Sequence, residues 1–101
     1  MNETAQLVRN NQVLLLQGRV NIKTVNSLFR IFKRELVPGI EYLDCSKIQE
    51  CDSTAISFLL ACLRMATKLN IRLHIKGMNQ QLLSLAKLYE VENMLQTTAD
   101  S

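Results

Sequence analysis

Apolar residues along the chain follow two different spacings, which predict four short strands and three helices. Short apolar or alternating runs predict the strands, at residues 5–9, 13–17, 40–44 and 71–75. Apolar residues repeated every three or four positions predict the helices, over residues 21–36, 53–69 and 79–89. The stretch between the third strand and the second helix, residues 45–51, lacks both patterns and predicts a loop.

The order of these elements, β-β-α-β-α-β-α, predicts the fold class. Asn10 and Asn11 between the first two strands predict an antiparallel hairpin, because asparagine tolerates the positive φ of a tight turn. Strands that alternate with helices pair in parallel through right-handed crossovers. We therefore expect an α/β fold, with a four-stranded mixed sheet and helices across one face. At 101 residues the chain has room for one domain, 1–101, with mobile tails expected at 1–4 and 96–101.

Composition and charge argue against several classes of protein. Hydrophobic residues make up 48% of the chain and charged residues 21%, which is ordinary for a folded domain. A net charge of +3, scattered basic residues and 5% aromatic residues argue against nucleic-acid binding. No apolar stretch approaches the roughly 20 residues of a membrane-spanning helix, and the first dozen residues lack a signal-peptide core. Cys45, Cys51 and Cys62 form an odd set without a Cys-x-x-Cys pair, so we expect reduced thiols in a cytoplasmic protein.

The residues that usually carry catalysis are sparse. His74 is the single histidine, about twenty residues from Ser53 and without an orienting acid beside it, which argues against a Ser-His-Asp triad. No cluster of His, Cys and carboxylates has metal-ligand spacing. The three glycines stand alone, so no phosphate-binding loop is present. We expect no enzymatic activity, no metal and no cofactor; if ATP is involved, a partner supplies its site.

Three capping residues, Asp52, Ser53 and Thr54, precede the second helix. One interpretation is helix capping, where loss of the side-chain oxygen costs about 1 kcal/mol. The other is a phosphorylation site, because a phosphate is favoured at a helix N-terminus, although the charge of Asp52 opposes it. Capping combined with partner contact is the favoured interpretation.

The second helix has more apolar surface than one sheet face requires. One face is defined by Ile56, Leu59, Leu60, Leu63 and Thr67, and we expect its stripe through Ile56, Leu60 and Leu63 to face the core. A second stripe runs through Phe58, Cys62, Met65 and Leu69. The apolar arc is about twice the ~100° that packing on a sheet needs, so a second element must cover it. The periodicity alone leaves open whether that element is a neighbouring helix or a partner subunit.

Basic residues close the first helix. Arg30, Lys33 and Arg34 complement the negative end of the helix dipole, and a solvated face is the expected outcome. The functional alternative is contact with an acidic partner or with anionic lipid headgroups.

Two segments resemble the signature of the STAS-domain family. Residues 42–48 (YLDCSKI) and 51–56 (CDSTAI) are similar to its strand ending in Asp, its Ser-containing loop and its Asp-Ser-Ser/Thr-Gly helix start. Residues 76–79 (KGMN) and 85–89 (LAKLY) are similar to the MlaB branch of that family. The family usually has Gly at the position of Ala55. This resemblance extends over nearly the whole chain and implies a single STAS domain.

The resemblance also implies a function. The MlaB branch supplies a small cytoplasmic subunit of a phospholipid-transporting ABC complex. This subunit binds and supports the ATPase of the complex, which also contains a permease. The subunit therefore lies at the inner membrane through its complex. Ser53 corresponds to the hydroxyl discussed in that branch, and Thr54 to the phosphorylated hydroxyl of anti-sigma-factor antagonists. The predicted partner surface consists of Ser53 and Thr54, the neighbouring Asp52 and Ala55, and the stripe residues Phe58, Cys62 and Met65. The alternative function is an anti-sigma-factor antagonist regulated by Ser/Thr phosphorylation.

Overall fold

A computed structural model describes residues 4–95 and has the predicted element order. The strands are Ala5–Asn10 (β1), Val13–Val20 (β2), Tyr42–Cys51 (β3) and His74–Lys76 (β4). The helices are Val25–Glu35 (α1), Ser53–Lys68 (α2) and Gln80–Leu88 (α3). The α/β fold with a four-stranded sheet is therefore confirmed. The predicted mobile tails, apart from Thr4, lie outside the described residues; the Thr4 carbonyl accepts the Arg19 N–H at 2.9 Å.

The sheet has the order β1-β2-β3-β4 and is mixed, as predicted. β1 and β2 form the antiparallel hairpin, in which Asn10 pairs with Val13 and Asn11 adopts a φ of 58° at the turn. β3 pairs in parallel with β2, and β4 pairs in parallel with β3. The end of β3 leads directly into α2, which places the start of that helix at the carboxyl edge of the sheet.

β3 is longer than predicted, and the predicted loop 45–51 is wrong. Two register shifts relative to β2 interrupt the pairing, one between Leu15 and Gln17 and one between Gly18 and Arg19. Such irregularities move the side chains out of strict alternation. The buried positions of this stretch, Cys45, Ile48 and Cys51, therefore recur every three residues instead of every two.

β4 is shorter than the predicted strand 71–75. Its pairing with β3 begins at Tyr42 opposite His74 and ends at Asp44 opposite Lys76. Residues before His74 would lie opposite the turn at Ile40, which precedes β3 and whose N–H bonds to the Val37 carbonyl instead. The alternating pattern of residues 71–75 therefore begins before β3 offers a residue to pair with.

The helices cover one face of the sheet. Side chains on that face are fully buried, among them Leu14, Leu16 and Leu43. Their neighbours on the other face, Val13 and Leu15, are half-buried. α1 begins at Val25 and not after Asn21, because Thr24 takes the N-cap position and the Asn21 side chain accepts the Lys23 N–H in the preceding turn.

α1 covers the second apolar stripe of α2. Phe58 is 4% exposed and packs with the rings of Phe29 and Phe32 on α1, at centroid distances of 6.3 and 6.5 Å. Cys62 is fully buried on the same side of the helix. The prediction that Phe58 and Cys62 form a partner surface is therefore wrong, because a helix of the same domain covers them. Met65 is half-buried against this core, and its contact with a partner stays a prediction.

Candidate functional site

The start of α2 is a capped helix terminus with two hydroxyls. Asp52 has an extended backbone at the N-cap, and its Oδ1 accepts the Thr54 N–H at 2.9 Å. The Thr54 hydroxyl donates to the same carboxylate oxygen. The Ser53 side chain is exposed and makes no hydrogen bond with any residue of the described part, 4–95. Ser53 thus presents an available hydroxyl, while that of Thr54 is held by the cap.

Ala55 follows the cap inside the helix. Its side chain is 1% exposed, and its N–H bonds to the Asp52 carbonyl at 3.0 Å. Ala55 is not among the residues with positive φ, so this position does not need the conformational freedom of glycine. The alanine methyl fits into the core at this position.

α3 is tied to the sheet beside this terminus. The Gln81 side chain donates from Nε2 to the Cys51 carbonyl at 3.0 Å, two residues before Ser53. Asn79 caps α3 by accepting the Leu82 N–H at 2.8 Å, and its amide group donates to the Ile48 carbonyl. These bonds hold α3 against β3 on the side of α2 opposite to α1.

Two neighbouring clefts run along the outer side of α2. One has a volume of about 290 Å³ and is lined by Ser53, Thr54, Ile56, Ser57, Leu60, Tyr89 and Val91. The other, of about 340 Å³, is lined by Leu60, Leu63, Arg64, Thr67, Lys68 and Met94. Leu60 lies between the two and contributes to both. We call Ser53, Thr54, Leu60, Tyr89 and Met94 the α2–α3 surface.

The α2–α3 surface exposes large apolar side chains. Tyr89 is 51% exposed and Met94 is 58% exposed, while Leu60 is half-buried. The expectation that Leu60 and Leu63 lie within the core is therefore only partly correct, because both stay half-exposed while Leu59, beside them, is fully buried. Arg64 and Lys68 give the far end of the surface a positive charge. The combination is an apolar patch with hydroxyls at one end and cations at the other.

Sequence reasoning missed Tyr89 and Met94 as surface residues. Tyr89 continues the apolar spacing of α3 and Met94 precedes the apolar Leu95, so the sequence pattern alone favours core positions for both. Tyr89 instead ends α3, and the following Glu90 adopts a φ of 58°, which turns the chain. The signal in the sequence was the polar Glu90 directly after the last apolar position.

The three thiols are buried and free. Burial raises the pKa of Cys45 to about 12, with a smaller contribution from the charge of Asp44. Burial also raises the pKa of Cys62 and of Cys51. A thiol held protonated is a poor nucleophile, so these cysteines are packing residues in this fold.

His74 lies far from the hydroxyls of α2. It pairs with Tyr42 at the start of β3, whereas Ser53 follows the end of that ten-residue strand. At about 3.3 Å per residue the two sites are about 30 Å apart. His74 therefore cannot act as a base for Ser53. Within residues 4–95 there is also no group of three or more His, Cys, Asp or Glu side chains that could hold a metal ion.

The helices of the described residues differ from membrane-spanning helices. None of those in residues 4–95 is both long enough and apolar enough to cross a bilayer.

Comparison with solved structures supports the fold. The anti-sigma factor antagonist SpoIIAA in its unphosphorylated form superimposes with a TM-score of 0.66, over 88% of this chain and 83% of that chain. The sequence identity is 10%, so this similarity concerns the fold alone.

Comparison with known sequences gives the family. The chain is 26% identical over 91 residues to the intermembrane phospholipid transport system binding proteins MlaB of Escherichia coli and of Shigella flexneri. The alignments cover 90% of this chain and 93% of each relative. Residues 3–96 match a family model described as Mlab, STAS domain. The chain therefore belongs to the MlaB family of STAS domains.

Proposed function

We propose that the chain is a non-catalytic accessory subunit that binds the ATPase of an ABC-type phospholipid transporter through the α2–α3 surface. Membership of the MlaB family supports this function, and the two relatives are named for an intermembrane phospholipid transport system. The subunit is cytoplasmic in this proposal and reaches the inner membrane through a complex that also holds a permease. The transporter maintains the lipid asymmetry of the outer membrane.

The observation that carries the proposal is the exposed apolar patch beside the α2 cap. Tyr89 and Met94 leave more than half of their side chains exposed next to Leu60. Contiguous apolar surface of this kind is typical of interaction sites, and Tyr and Met are frequent in such patches. Burial of two of these side chains contributes about 1.5–3 kcal/mol each before ordering costs.

The hydroxyls at the rim fit a contact that is polar and specific. Ser53 is exposed, so its hydroxyl can bond to a partner without breaking the cap. Thr54 lines the same cleft and is held by Asp52, which fixes its position. A subunit that binds in this way needs no catalytic group, which fits the ~30 Å separation between Ser53 and His74.

Copurification tests the proposal directly. The tagged full chain, expressed in its own host and extracted with membranes, is expected to bring down an ABC ATPase and a permease. Tyr89→Glu places a charge in the patch and should abolish this copurification. Val8→Glu is the matched control, because Val8 is 43% exposed on the helix-free face of the sheet, away from the patch. Retention of the ATPase by Tyr89→Glu would exclude the α2–α3 surface as its binding site.

A second function is supported by the accessible Ser53 hydroxyl at the α2 terminus. A phosphate there would lie at the positive end of the helix dipole, and it would add charge beside the apolar patch. This arrangement suits an anti-sigma-factor antagonist that is switched off by phosphorylation. Capture of a kinase and a sigma-factor regulator by the tagged chain, in place of an ATPase, would favour this alternative.

A further inference from the structure

One segment accounts for the net positive charge of the chain, although basic residues occur along its whole length. The whole sequence has twelve Lys and Arg residues and nine Asp and Glu residues, which gives the net charge of +3. The segment 23–35 contains four of the basic residues and one acidic residue. The remainder of the chain therefore has eight of each kind and is neutral. All of the net charge is carried by α1 and the turn that precedes it.

Three of these cations lie on the outer side of α1, and the fourth lies in the turn that precedes it. We call Lys23, Arg30, Lys33 and Arg34 the basic stripe. All four side chains are exposed, as are Asn26 and Ser27 between them. Arg30, Lys33 and Arg34 lie on one face of α1 at spacings of three and four, and Lys23 lies in the turn before the N-cap residue of that helix. The opposite side of the helix buries Leu28 and Phe32 in the core. The stripe therefore points away from the domain, and its three cations on α1 span about 6 Å of helix length.

The charges of the basic stripe are only weakly engaged within the domain. Lys23 and Arg30 make no ion pair with residues of the described range 4–95. Arg34 has one contact, to Glu35 at 3.5 Å, and its side chain remains 70% exposed. Lys33 lies 5.7 Å from the Phe29 ring centroid, a contact that leaves its ammonium free to meet an anion. The stripe is thus available to a ligand that brings the negative charge.

The shape and the flanking residues indicate what kind of anion fits. The exposed outer side of a helix is convex, so the helix can lie lengthwise on a flat surface and contact it along its whole length. Ile22, directly before Lys23, is 69% exposed, which places an apolar side chain at the end of the stripe. Cations with an exposed apolar neighbour are typical of protein surfaces that lie on anionic membranes. An acidic protein would instead need carboxylates placed to match four separate cations.

We propose that the basic stripe binds the surface of a bilayer that contains anionic phospholipids. This inference does not rest on the proposed ATPase binding, since the two surfaces lie on different elements. α1 packs against β1 and one side of α2, whereas α3 packs against β3 and the other side of α2. A domain that binds a protein through the α2–α3 surface therefore keeps the basic stripe free for the membrane.

Vesicle cosedimentation tests the proposal with the full chain. The probes are vesicles of phosphatidylglycerol and phosphatidylcholine in equal parts, and vesicles of phosphatidylcholine alone, at about 0.05 M salt where screening is weak. Each Lys or Arg near such a surface contributes about fivefold to the partition coefficient. The triple variant Lys23→Gln/Arg30→Gln/Lys33→Gln should therefore partition about a hundredfold less than the wild type. Binding should also disappear at high salt.

A matched variant separates the stripe from net charge. Lys47→Gln/Arg72→Gln/Lys87→Gln removes three exposed cations from other parts of the domain and reaches the same net charge of zero. It should keep most of the wild-type binding. An equal loss in both variants, or equal binding of the wild type to neutral vesicles, would overturn the proposal. So would a wild type that ignores the anionic vesicles and binds polyglutamate, since the stripe would then select an acidic protein.

Discussion

The ring of Phe58 on α2 meets the ring of Phe32 on α1 edge to face, with centroids 6.5 Å apart and planes at 72°. Phe29 adds a third ring, 6.0 Å from Phe32 and nearly parallel to it. This cluster joins the two helices above the sheet. Because edge-to-face pairs add to the free energy of apolar burial, the contact fixes how α2 is rotated. That rotation decides which side of α2 remains for a partner.

Phe58→Ala should lower the free energy of unfolding without removing a partner contact. Truncation of a buried Phe typically costs about 3–5 kcal/mol, a large part of the stability of a domain this small. Urea denaturation followed by circular dichroism measures the loss. Phe58→Leu, which keeps most of the volume, should lose much less. A fully stable Phe58→Ala variant that no longer binds its partner would show that Phe58 acts at an interface after all.

The rotation of α2 is also where the sequence was least informative. Both stripes of α2 are apolar, so periodicity indicated that two surfaces are covered and left open which one faces a partner. Phe58 and Cys62 are covered by α1 from within the chain, whereas Leu60 stays half-exposed. Only the packing of α1 and α3 on either side of α2 distinguishes the stripes, and that packing is tertiary information.

The element order and the caps, by contrast, followed from local chemistry. Asp52 and Asn79 were predicted as helix starts, and each accepts a backbone N–H in that role. The predicted helix 53–69 stops one residue before Asn70, which has a φ of 58°. The bulged end of β3 was missed, because its irregular pairing with β2 removes the alternation that identifies a strand.

Asp52→Ala should destabilise the domain by about 1 kcal/mol. The substitution removes the acceptor of the Thr54 N–H and of the Thr54 hydroxyl at the start of α2. Chemical denaturation at neutral pH measures the difference. Asp52→Asn is the control, since asparagine also caps well and should retain most of the stability. If both variants were as stable as the wild type, the cap would contribute nothing to folding.

Alkaline pH should destabilise the domain through Cys45. Its pKa is raised from about 9 in the unfolded chain to about 12 by burial, so the unfolded state loses its proton first as pH rises. Stability is then fully present below about pH 9 and falls between about 9 and 12, by on the order of 1 kcal/mol for each pH unit. The measurement compares the pH dependence of urea unfolding for the wild type and Cys45→Ala. The variant should show a smaller decrease; identical curves would contradict the assignment.

Charge at Ser53 should weaken partner binding more than loss of its hydroxyl does. Ser53→Ala removes one exposed hydrogen-bonding group, whereas Ser53→Glu adds a carboxylate beside Asp52 and the apolar patch. We expect Ser53→Glu to lower the affinity for the ATPase at least tenfold and Ser53→Ala to have a smaller effect. Quantitative pull-down measures both. Ser84→Glu, at an exposed position of α3, is the control for added charge, and equal binding by Ser53→Glu and Ser84→Glu would exclude Ser53 from the interface. The same pair of substitutions at Thr54 determines which hydroxyl lies closer to the partner.

Adjacent leucines on α2 provide the sharpest test of the α2–α3 surface. Leu59 is fully buried in the core, whereas Leu60 is half-buried between the two clefts. Leu59→Asp puts an unpaired charge into the core and should unfold the domain. Leu60→Asp leaves the carboxylate within reach of solvent, so this variant should fold with a moderate loss of stability and fail to bind the ATPase. Circular dichroism and pull-down separate folding from binding. If Leu60→Asp folds and still binds, the partner uses a different face; if it unfolds as completely as Leu59→Asp, Leu60 belongs to the core and the patch is too small to dock a subunit.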